Sequence, residues 1–258
     1  MTGSIPGSTL ASRARWIELD EIDSTSSEAM RRAAAGERGV LYVRADRQTA
    51  GRGRSGRAWD TLAGNLALSR LSMLTCPPAA VPQLALVAGV GVHRAIAELL
   101  GTAAAASELR LKWPNDVLLA GAKVAGILVE ASTFAAERVA VIGVGVNLLH
   151  APELPGRATA TLAGHTDQSL DARRVGMLVG DHIEQAIALW DDGRGFAAIR
   201  AAWHSASLPT GTRLSVNTGS GLATGAFAGL DDSGALLLDT GDGARQSFSF
   251  GDVALIAG

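Results

Sequence analysis

The spacing of hydrophobic and polar positions changes several times along the chain, and each change predicts an element. Short alternating runs predict strands, whereas longer apolar stretches predict helices. Strands are predicted at residues 16–19, 40–45, 66–74 and 138–146, with two more within 109–130 that join around residues 120–122. Long helices are predicted at residues 81–100, 171–190 and 196–203.

One shorter helix and one long loop complete this part of the chain. Thr25 and Glu28 have the spacing of a capping box, which predicts the start of an alanine-rich helix that closes near Gly36. Residues 48–59, QTAGRGRSGRAW, contain no apolar period and predict a loop rich in glycine and arginine.

The pattern changes again after Pro209. From Thr212 onward, short alternating runs are separated by turn signals such as Asp231-Asp232-Ser233-Gly234. This pattern predicts a small β-barrel or sandwich of about five strands. We place the boundary near Leu208, which divides the chain into domains 1–208 and 209–258.

Composition limits the class of protein. The chain has 258 residues, 47% of them hydrophobic and 19% charged, which fits one large domain or a domain with a small appendage. Its formal net charge of −2 gives no overall attraction to DNA or to an anionic membrane. The longest apolar runs, 84–92 and 139–146, are shorter than the roughly 20 residues that span a bilayer. With one cysteine and no apolar N-terminal segment, the sequence predicts a soluble, cytoplasmic protein.

Arginine greatly outnumbers lysine among the basic residues. The chain has 21 arginines but two lysines, Lys112 and Lys123, and both lysines lie between residues 112 and 147 together with Asn115 and Asn147. An isolated lysine is usually a solvated surface residue. The clustering instead indicates that this segment has a chemical role.

The glycine- and arginine-rich loop is a candidate anion site. Between Arg47 and Arg57 lie four arginines, three glycines and no acidic residue, so the positive charge is not neutralised locally. This favours phosphate, although the Gly-Lys-Ser/Thr ending of a P-loop is missing. A solvated surface loop and an RNA contact are the alternatives.

Two segments that follow carry polar groups beside apolar strands. In LKWPNDV, Pro114 stops the strand, Asn115 can hydrogen-bond a ligand and Asp116 can help to hold Mg²⁺, although a simple turn is an equal alternative. In GAKVAGILVE, Lys123 places an ammonium group at the start of an apolar strand, where it can neutralise a reacting phosphate or carboxylate.

Residues 143–147, GVGVN, do not form a dinucleotide fingerprint, because Leu148 replaces the third glycine and no acidic residue follows at the ribose position. The glycines instead indicate close packing at a strand end, with Asn147 facing the same cavity. The five histidines show no metal-ligand spacing, and Cys76 is expected to be structural.

Four segments in this order, GRGRSGRAW, KWPNDV, GAKVAGILVE and GVGVN, resemble the biotin protein ligases. Asp23-Ser24-Thr25 is similar to the family's Ser/Thr element, and residues 229–238 are similar to its C-terminal barrel, so the resemblance extends over essentially the whole chain. It implies an α+β fold, in which a mixed β-sheet with flanking helices, like that of class II aminoacyl-tRNA synthetases, precedes a small SH3-like β-barrel.

The resemblance also implies an ATP-dependent ligase reaction in two steps. Biotin is first joined to the α-phosphate of ATP, giving biotinyl-5′-AMP and pyrophosphate. A lysine of the biotin carboxyl carrier domain of an acetyl-CoA or acyl-CoA carboxylase then takes the biotin, and AMP leaves. The implied substrates are biotin and ATP with Mg²⁺, and the implied partner is the carrier protein.

Residue roles follow from the matching motifs. The resemblance implies catalytic roles for Lys123, Arg52 and Arg54. It implies biotin contacts from Ser24, Thr25, Gln48, Arg52, Gly53, Arg54, Lys123 and Gly126. It implies ATP or adenylate contacts from Arg54, Trp59, Asn115, Asp116, Lys123 and Asn147, with Asp116 near Mg²⁺ or the incoming lysine. The loop at residues 51–58 is expected to be mobile until biotinyl-AMP is bound.

The chain departs from the family in three places. About fifteen residues precede the first predicted strand, so we expect the enzyme-only type, without a winged helix-turn-helix domain and without DNA binding. Ser26 stands where the family often has asparagine, which shortens any contact from that side chain. Ala228 stands where some members have arginine, so the basis for an ATP contact from the small domain is lost.

Two other functions compete with this interpretation. A lipoate ligase or octanoyl transferase of the same superfamily differs in pocket shape, although the GRGRSGRAW loop favours biotin. A non-catalytic nucleic-acid binder using the same loop is disfavoured by the net charge of −2. A homodimer formed through an exposed sheet edge is left open.

Overall fold

The computed structural model describes residues 11, 14–101, 108–154, 156–241 and 244–256. A seven-stranded mixed sheet forms its centre, with the strands in the order β1-β2-β3-β7-β6-β5-β4. Strands β1 and β2 are parallel, and every other neighbouring pair in this sheet is antiparallel. The strands are β1 Arg15–Ile22, β2 Leu41–Gln48, β3 Leu66–Met73, β4 Leu109–Lys112, β5 Asp116–Leu119, β6 Ala122–Phe134 and β7 Glu137–Val146.

Four helices flank this sheet in the described residues: α1 Thr25–Ala34, α2 Leu84–Leu100, α3 Ala172–Trp190 and α4 Phe196–Ala206. Helix α1 packs its buried alanines against Leu41, Val43 and Leu71 on one face of the sheet. Helices α2, α3 and α4 belong to the larger core on the other face. The two layers therefore enclose the sheet and leave one end of β5, β6 and β7 open to form a site.

Helix α2 is the longest apolar segment of the chain. With the short 3-10 segment before it, Pro78–Leu100 is long and apolar enough to cross a membrane by length and composition, and 61% of its apolar window is buried inside the fold. Gly91 lets α3 approach closely, because a Cβ there would lie 2.9 Å from the His182 carbonyl oxygen. This burial is that of a core helix.

A second sheet follows the helices, in the order β11-β10-β9-β8-β12 and antiparallel throughout. Its strands are β8 Arg213–Asn217, β9 Leu222–Leu230, β10 Leu236–Asp239, β11 Arg245–Phe248 and β12 Asp252–Leu255. The edge strands β11 and β12 are not paired with each other in the described residues, so the sheet is an open barrel. Its inner face joins the main core through Leu214, Val216 and Phe227.

The predicted α+β class and the second, five-stranded β unit are confirmed, and several element bounds need correction. Residues 109–130 form parts of three strands, not two, because the turn around Pro114 separates β4 from β5. Helix α2 begins at Leu84, not at residue 81, because Pro82 lies in the preceding 3-10 segment.

The predicted capping box of α1 is also wrong. Ser24 is the N-cap, and its Oγ accepts a hydrogen bond from the Ser27 backbone N–H at 3.4 Å. Glu28 does not reach back to the cap, because its carboxylate pairs with Arg31 and Arg32. The hydroxyl of Thr25 is thereby free to enter the interior, where it becomes part of the site.

Candidate functional site

A cavity of about 490 Å³ lies where α1, the loop after β2, the open ends of β5, β6 and β7, and the start of β12 meet. Every residue that the sequence assigned to a site contributes to its lining. These residues are Ser24, Thr25, Gln48, Arg52, Gly53, Arg54, Trp59, Asn115, Asp116, Lys123, Gly126 and Asn147. Positions separated by more than 120 residues in the chain therefore form one continuous surface.

One wall of the cavity is a buried network of neutral polar groups. The backbone N–H and the hydroxyl of Thr25 donate to Gln48 Oε1 at 2.8 and 3.1 Å. The Thr25 and Ser26 hydroxyls each lie within 2.9 Å of Ser69 Oγ. Gly143 makes room for this wall, because a Cβ there would lie 2.6 Å from Ser26 Oγ. The network fixes the side chains before any ligand arrives, which lowers the cost of binding.

The glycine- and arginine-rich loop forms a hairpin across the cavity. The backbone N–H of Trp59 donates to the Gly51 carbonyl at 2.9 Å, and the backbone N–H of Gly53 donates to the Arg57 carbonyl at 2.7 Å. Gly51 is required here, because a Cβ would lie 2.2 Å from the Trp59 carbonyl oxygen. At the tip, Ser55 has a positive φ of 56°. The predicted loop is thus a defined turn that carries Arg52, Arg54, Arg57 and Trp59.

The indole of Trp59 lies on a floor made by two glycines. Gly126 of β6 and Gly145 of β7 are cross-strand partners. A Cβ at Gly145 would lie 2.2 Å from the Trp59 ring, and one at Gly126 would lie 2.9 Å from it. Lys123 Nζ lies 5.4 Å from the ring centroid, within cation–π range. The close packing expected of the GVGVN glycines is therefore confirmed, with Trp59 packed against Gly145 and Ser26 against Gly143.

Asp116 binds both lysines of the chain. Antiparallel pairing of β4 with β5 places Lys112 opposite Asp116, and Lys112 Nζ lies 2.8 Å from one carboxylate oxygen. Lys123 Nζ lies 2.5 Å from the other oxygen. Burial alone would raise the pKa of Asp116, but the two ammonium groups outweigh burial and hold the pKa below its usual range. The cluster therefore presents net positive charge to the cavity.

The same pairing involves the carboxylate that the sequence predicted to lie near Mg²⁺ or the incoming lysine. Both carboxylate oxygens are already engaged by ammonium groups. In the part of the chain that the structure describes, no group of three or more His, Cys, Asp or Glu side chains is placed to hold a metal ion. Asp116 is thus the shared partner of both lysines, and a magnesium contact from it stays a prediction.

Three of the residues that the sequence predicted to contact the adenylate, Arg54, Asn115 and Asn147, line the same cavity. Asn115 donates to the Ile127 carbonyl at 2.7 Å, and its Oδ1 accepts from Arg54 at 3.3 Å. Burial lowers the pKa of the Arg54 guanidinium, although the carboxylates of Asp252 and Asp116 oppose this effect. Asn147 donates to the Ala160 carbonyl at 3.2 Å, whereas its buried Oδ1 has no partner in the described residues. Asn147 therefore has one unsatisfied hydrogen-bond acceptor.

The cavity also contains residues to which the sequence assigned no individual role: Ser26, Arg57, Lys112, Arg157 and Asp252. The sequence did indicate Lys112 indirectly, because it is one of only two lysines in the chain. Asp252 carried none, because it lies 136 residues after Asp116 and enters the cavity only when the two sheets pack together.

Two family models match the chain. Residues 21–147 match the biotin/lipoate A/B protein ligase family, and residues 211–255 match the biotin protein ligase C terminal domain. The chain is 39% identical over 237 residues to a biotin–[acetyl-CoA-carboxylase] ligase of Paracoccus denitrificans, which covers 88% of this chain and 95% of the relative. A ligase of the same name from Mycobacterium tuberculosis is 35% identical over 246 residues, covering 92% of this chain and 89% of the relative.

A solved structure has the same architecture. The biotin protein ligase from Aquifex aeolicus in complex with biotin and ATP superposes with a TM-score of 0.77 and 29% identity. The match covers 95% of this chain and 99% of that protein. The superposed region includes the second sheet as well as the first.

Proposed function

This chain belongs to the biotin protein ligase family, and from that premise we propose how its cavity carries out the reaction. The protein is an ATP-dependent biotin–[acetyl-CoA-carboxylase] ligase, which forms biotinyl-5′-AMP and transfers biotin to a carrier protein. The observation that carries the proposed roles is the convergence of a neutral polar wall, a cationic loop and the Lys112–Asp116–Lys123 cluster on one cavity.

The neutral wall is suited to the ring end of biotin. Thr25, Ser26 and Gln48 offer hydroxyl and amide groups that can donate to or accept from a ureido group. The neighbouring floor is apolar, with Leu68, Ile127 and Val144 lining the cavity. A small heterocycle with one polar edge therefore matches this half of the cavity in chemical character.

The cationic half is suited to the first chemical step. A carboxylate oxygen of biotin attacks the α-phosphorus of ATP, a new P–O bond forms, and the bond to pyrophosphate breaks. Both reactants are anions, so their approach and the charge on the phosphoryl oxygens require positive groups. Arg52, Arg54 and Lys123 lie around this part of the cavity, and each charged hydrogen bond contributes about 1.5–3 kcal/mol.

Trp59 and the two asparagines are suited to the adenylate. The indole has one face on the Gly126–Gly145 floor, so it can form an aromatic wall for a purine. The unpartnered Oδ1 of Asn147 accepts a donor, as an exocyclic amine or a ribose hydroxyl supplies. Asn115 fixes Arg54 beside the phosphate position.

In the second step, the carrier lysine attacks the biotinyl carbonyl carbon. A C–N bond forms, the C–O bond to the phosphate breaks, the amine loses a proton and AMP leaves with the bonding electrons. Lys123 and the loop arginines stabilise the departing phosphate, whose negative charge grows in this step. No covalent intermediate with the enzyme is required.

Besides the mobility of residues 51–58 without ligand, four expectations from the sequence remain predictions alongside these roles. Magnesium would enter with the phosphates of ATP, as is common for this ion, and a contact from Asp116 stays part of that prediction. A cytoplasmic location, homodimerisation and the absence of DNA binding are the other three. Omitting Mg²⁺ from the assay, cell fractionation, light scattering and DNA titration test them in turn.

The decisive experiment measures AMP and pyrophosphate release from ATP with biotin, lipoate or octanoate, before and after a carrier domain is added. We expect turnover with biotin and labelling of one carrier lysine. Arg173→Ala, an exposed change outside the cavity, serves as the matched control. Turnover with lipoate but not biotin would assign the chain to the other branch of its superfamily.

A further inference from the structure

The start of β12 lies against the catalytic cavity although it belongs to the second sheet. Asp252 and Val253 contribute to the cavity lining. Their position is fixed by antiparallel pairing with β8, in which Asp252 lies opposite Asn217 and Val253 opposite Val216. Gly251 enters this strand with a φ of 145°, and a Cβ there would lie 2.7 Å from Val216 Cγ1. The second sheet therefore holds residues 251–253 as a fixed edge of the cavity.

Three cations of the first domain bind this edge. Arg57 Nη2 donates to Asp252 Oδ1 at 2.7 Å. Arg54 Nη2 donates to the Gly251 carbonyl at 3.2 Å, and Lys112 Nζ donates to the Val253 carbonyl at 2.9 Å. We call these three contacts, from Arg54, Arg57 and Lys112 to residues 251–253, the interdomain clasp.

The clasp holds the tip of the loop together with two contacts inside the first domain, from Arg54 to Asn115 and from Arg52 to Glu130. At its base, the hairpin is fixed by the backbone bond between Trp59 and Gly51. At its tip, Ser55 and Gly56 are exposed, and the arginines on either side are the ones that reach the second sheet. A loop fixed only at its base opens easily, because few contacts oppose the motion. The clasp is thus one of the contacts that oppose opening at the tip, and the one that comes from the second sheet.

We propose that Asp252 is a positioning residue of the second domain that keeps the glycine- and arginine-rich loop closed over the cavity and so determines how long the acyl-adenylate stays enclosed. The inference rests on the proposed function, because it assumes that the cavity holds biotinyl-AMP. It gives the small domain a defined role, in which its sheet edge closes the active site of the first domain.

The charge pattern supports this role for Asp252. All charged side chains of the loop are positive. The carboxylate of Asp252 pairs with Arg57, and its negative charge also acts on Arg54. The ion pair is partly solvated, with side-chain exposures of 39% for Arg57 and 41% for Asp252. An ion pair of this kind is weak, so it favours the closed state of the loop but still allows the loop to open. A lid that must admit a carrier lysine needs this balance.

The first experiment measures dissociation of the acyl-adenylate from full-length protein. Enzyme is loaded with biotin and ATP labelled at the α-phosphate, then chased with unlabelled substrates, and the bound label is followed by filter binding. We expect Asp252→Asn to release label about two- to fivefold faster than the unmodified protein, the range of an exposed ion pair. Asp252→Glu keeps the charge and is expected to restore slow release.

A second interdomain ion pair supplies the matched control. Asp232 in the second domain pairs with Arg200 of α4, and neither residue lines the cavity. Asp232→Asn removes a contact of the same type between the same domains. We expect its release rate to stay within about 1.5-fold of the unmodified protein, because the loop is untouched.

Trypsin gives an independent measure that needs no substrate. Cleavage after Arg54 or Arg57 requires an open loop, so Asp252→Asn is expected to be cut there about two- to fivefold faster. The exchanged pair Arg57→Asp with Asp252→Arg is expected to recover protection at Arg54. Equal release and equal cleavage in Asp252→Asn and the unmodified protein would overturn the inference. Failure of the unmodified protein to form labelled adenylate would instead overturn the proposed function.

Discussion

Removal of the Lys123 side chain is expected to slow adenylate formation while leaving the free energy of unfolding nearly unchanged. Its ammonium lies 2.5 Å from Asp116 and 5.4 Å from the Trp59 ring centroid, at the point where the cationic half of the cavity meets the neutral wall. We expect Lys123→Ala to slow adenylate formation by about 10²- to 10³-fold, equivalent to ~2.7–4 kcal/mol of transition-state stabilisation.

The magnitude follows from the surroundings of the ammonium. One charged hydrogen bond in water-exposed protein contributes about 1.5–3 kcal/mol. The Lys123 side chain is 21% exposed, and the loop hairpin covers the cavity, so its charge acts in a partly dry site where it is worth more. The free energy of unfolding of Lys123→Ala should change little, because Asp116 keeps Lys112 as its partner and is not left as an isolated buried charge.

The assay is single-turnover formation of biotinyl-AMP, with the free energy of unfolding measured in parallel by urea titration. Lys123→Arg is the informative companion, because a guanidinium keeps the charge but not the compact geometry. We expect it to remain at least about tenfold slow. Adenylation within a few fold of normal in Lys123→Ala would refute the role assigned to this ammonium.

Three further predictions concern residues that hold the side chains and backbone around the cavity in place. Gly145→Ala places a Cβ 2.2 Å from the Trp59 ring, so we expect the ring to move and the KM for ATP to rise about tenfold or more, with a smaller change for biotin in steady-state kinetics. Asp116→Asn removes the carboxylate that the partly buried Lys112 and Lys123 share, and it is expected to lower the free energy of unfolding by up to about 3 kcal/mol near neutral pH. Because the folded-state pKa of Asp116 is lowered, its stabilisation is present above its ordinary value of 3.8 and is lost as the pH falls through the folded value, so urea midpoints of variant and parent should converge there. Asn65→Ala removes an Oδ1 that accepts three backbone N–H groups directly after β7 at 3.0–3.1 Å, and a loss of about 2–3 kcal/mol in urea unfolding is expected; an unchanged midpoint would contradict this account.

The site was predictable from the sequence where its chemistry is local. The loop 48–59, the Pro114 turn and Lys123 each combine residue types that have a chemical meaning at short spacing, and all of them line the cavity. The element types were predictable for the same reason, since the periodicity of one segment sets its exposed and buried faces.

What the sequence did not show depends on packing between distant segments. The spacing of Thr25 and Glu28 predicts a helix cap, whereas the Thr25 hydroxyl is used by Gln48 and Ser69, which lie 23 and 44 residues away. Asp252 has no local signal, because its partner Arg57 lies 195 residues away. The third strand within 109–130 was missed because a four-residue strand on each side of a turn is too short to show a period.

The scarcity of lysine has a physical explanation in this cavity. Lys112 and Lys123 approach one carboxylate from two sides, at 2.8 and 2.5 Å, beside a strand where Gly126 leaves little space. A compact ammonium on a flexible stem fits this arrangement, whereas two planar guanidinium groups would need a wider cavity to share the same carboxylate. We therefore expect Lys112→Arg to disturb the Lys112–Asp116–Lys123 cluster even though the charge is conserved.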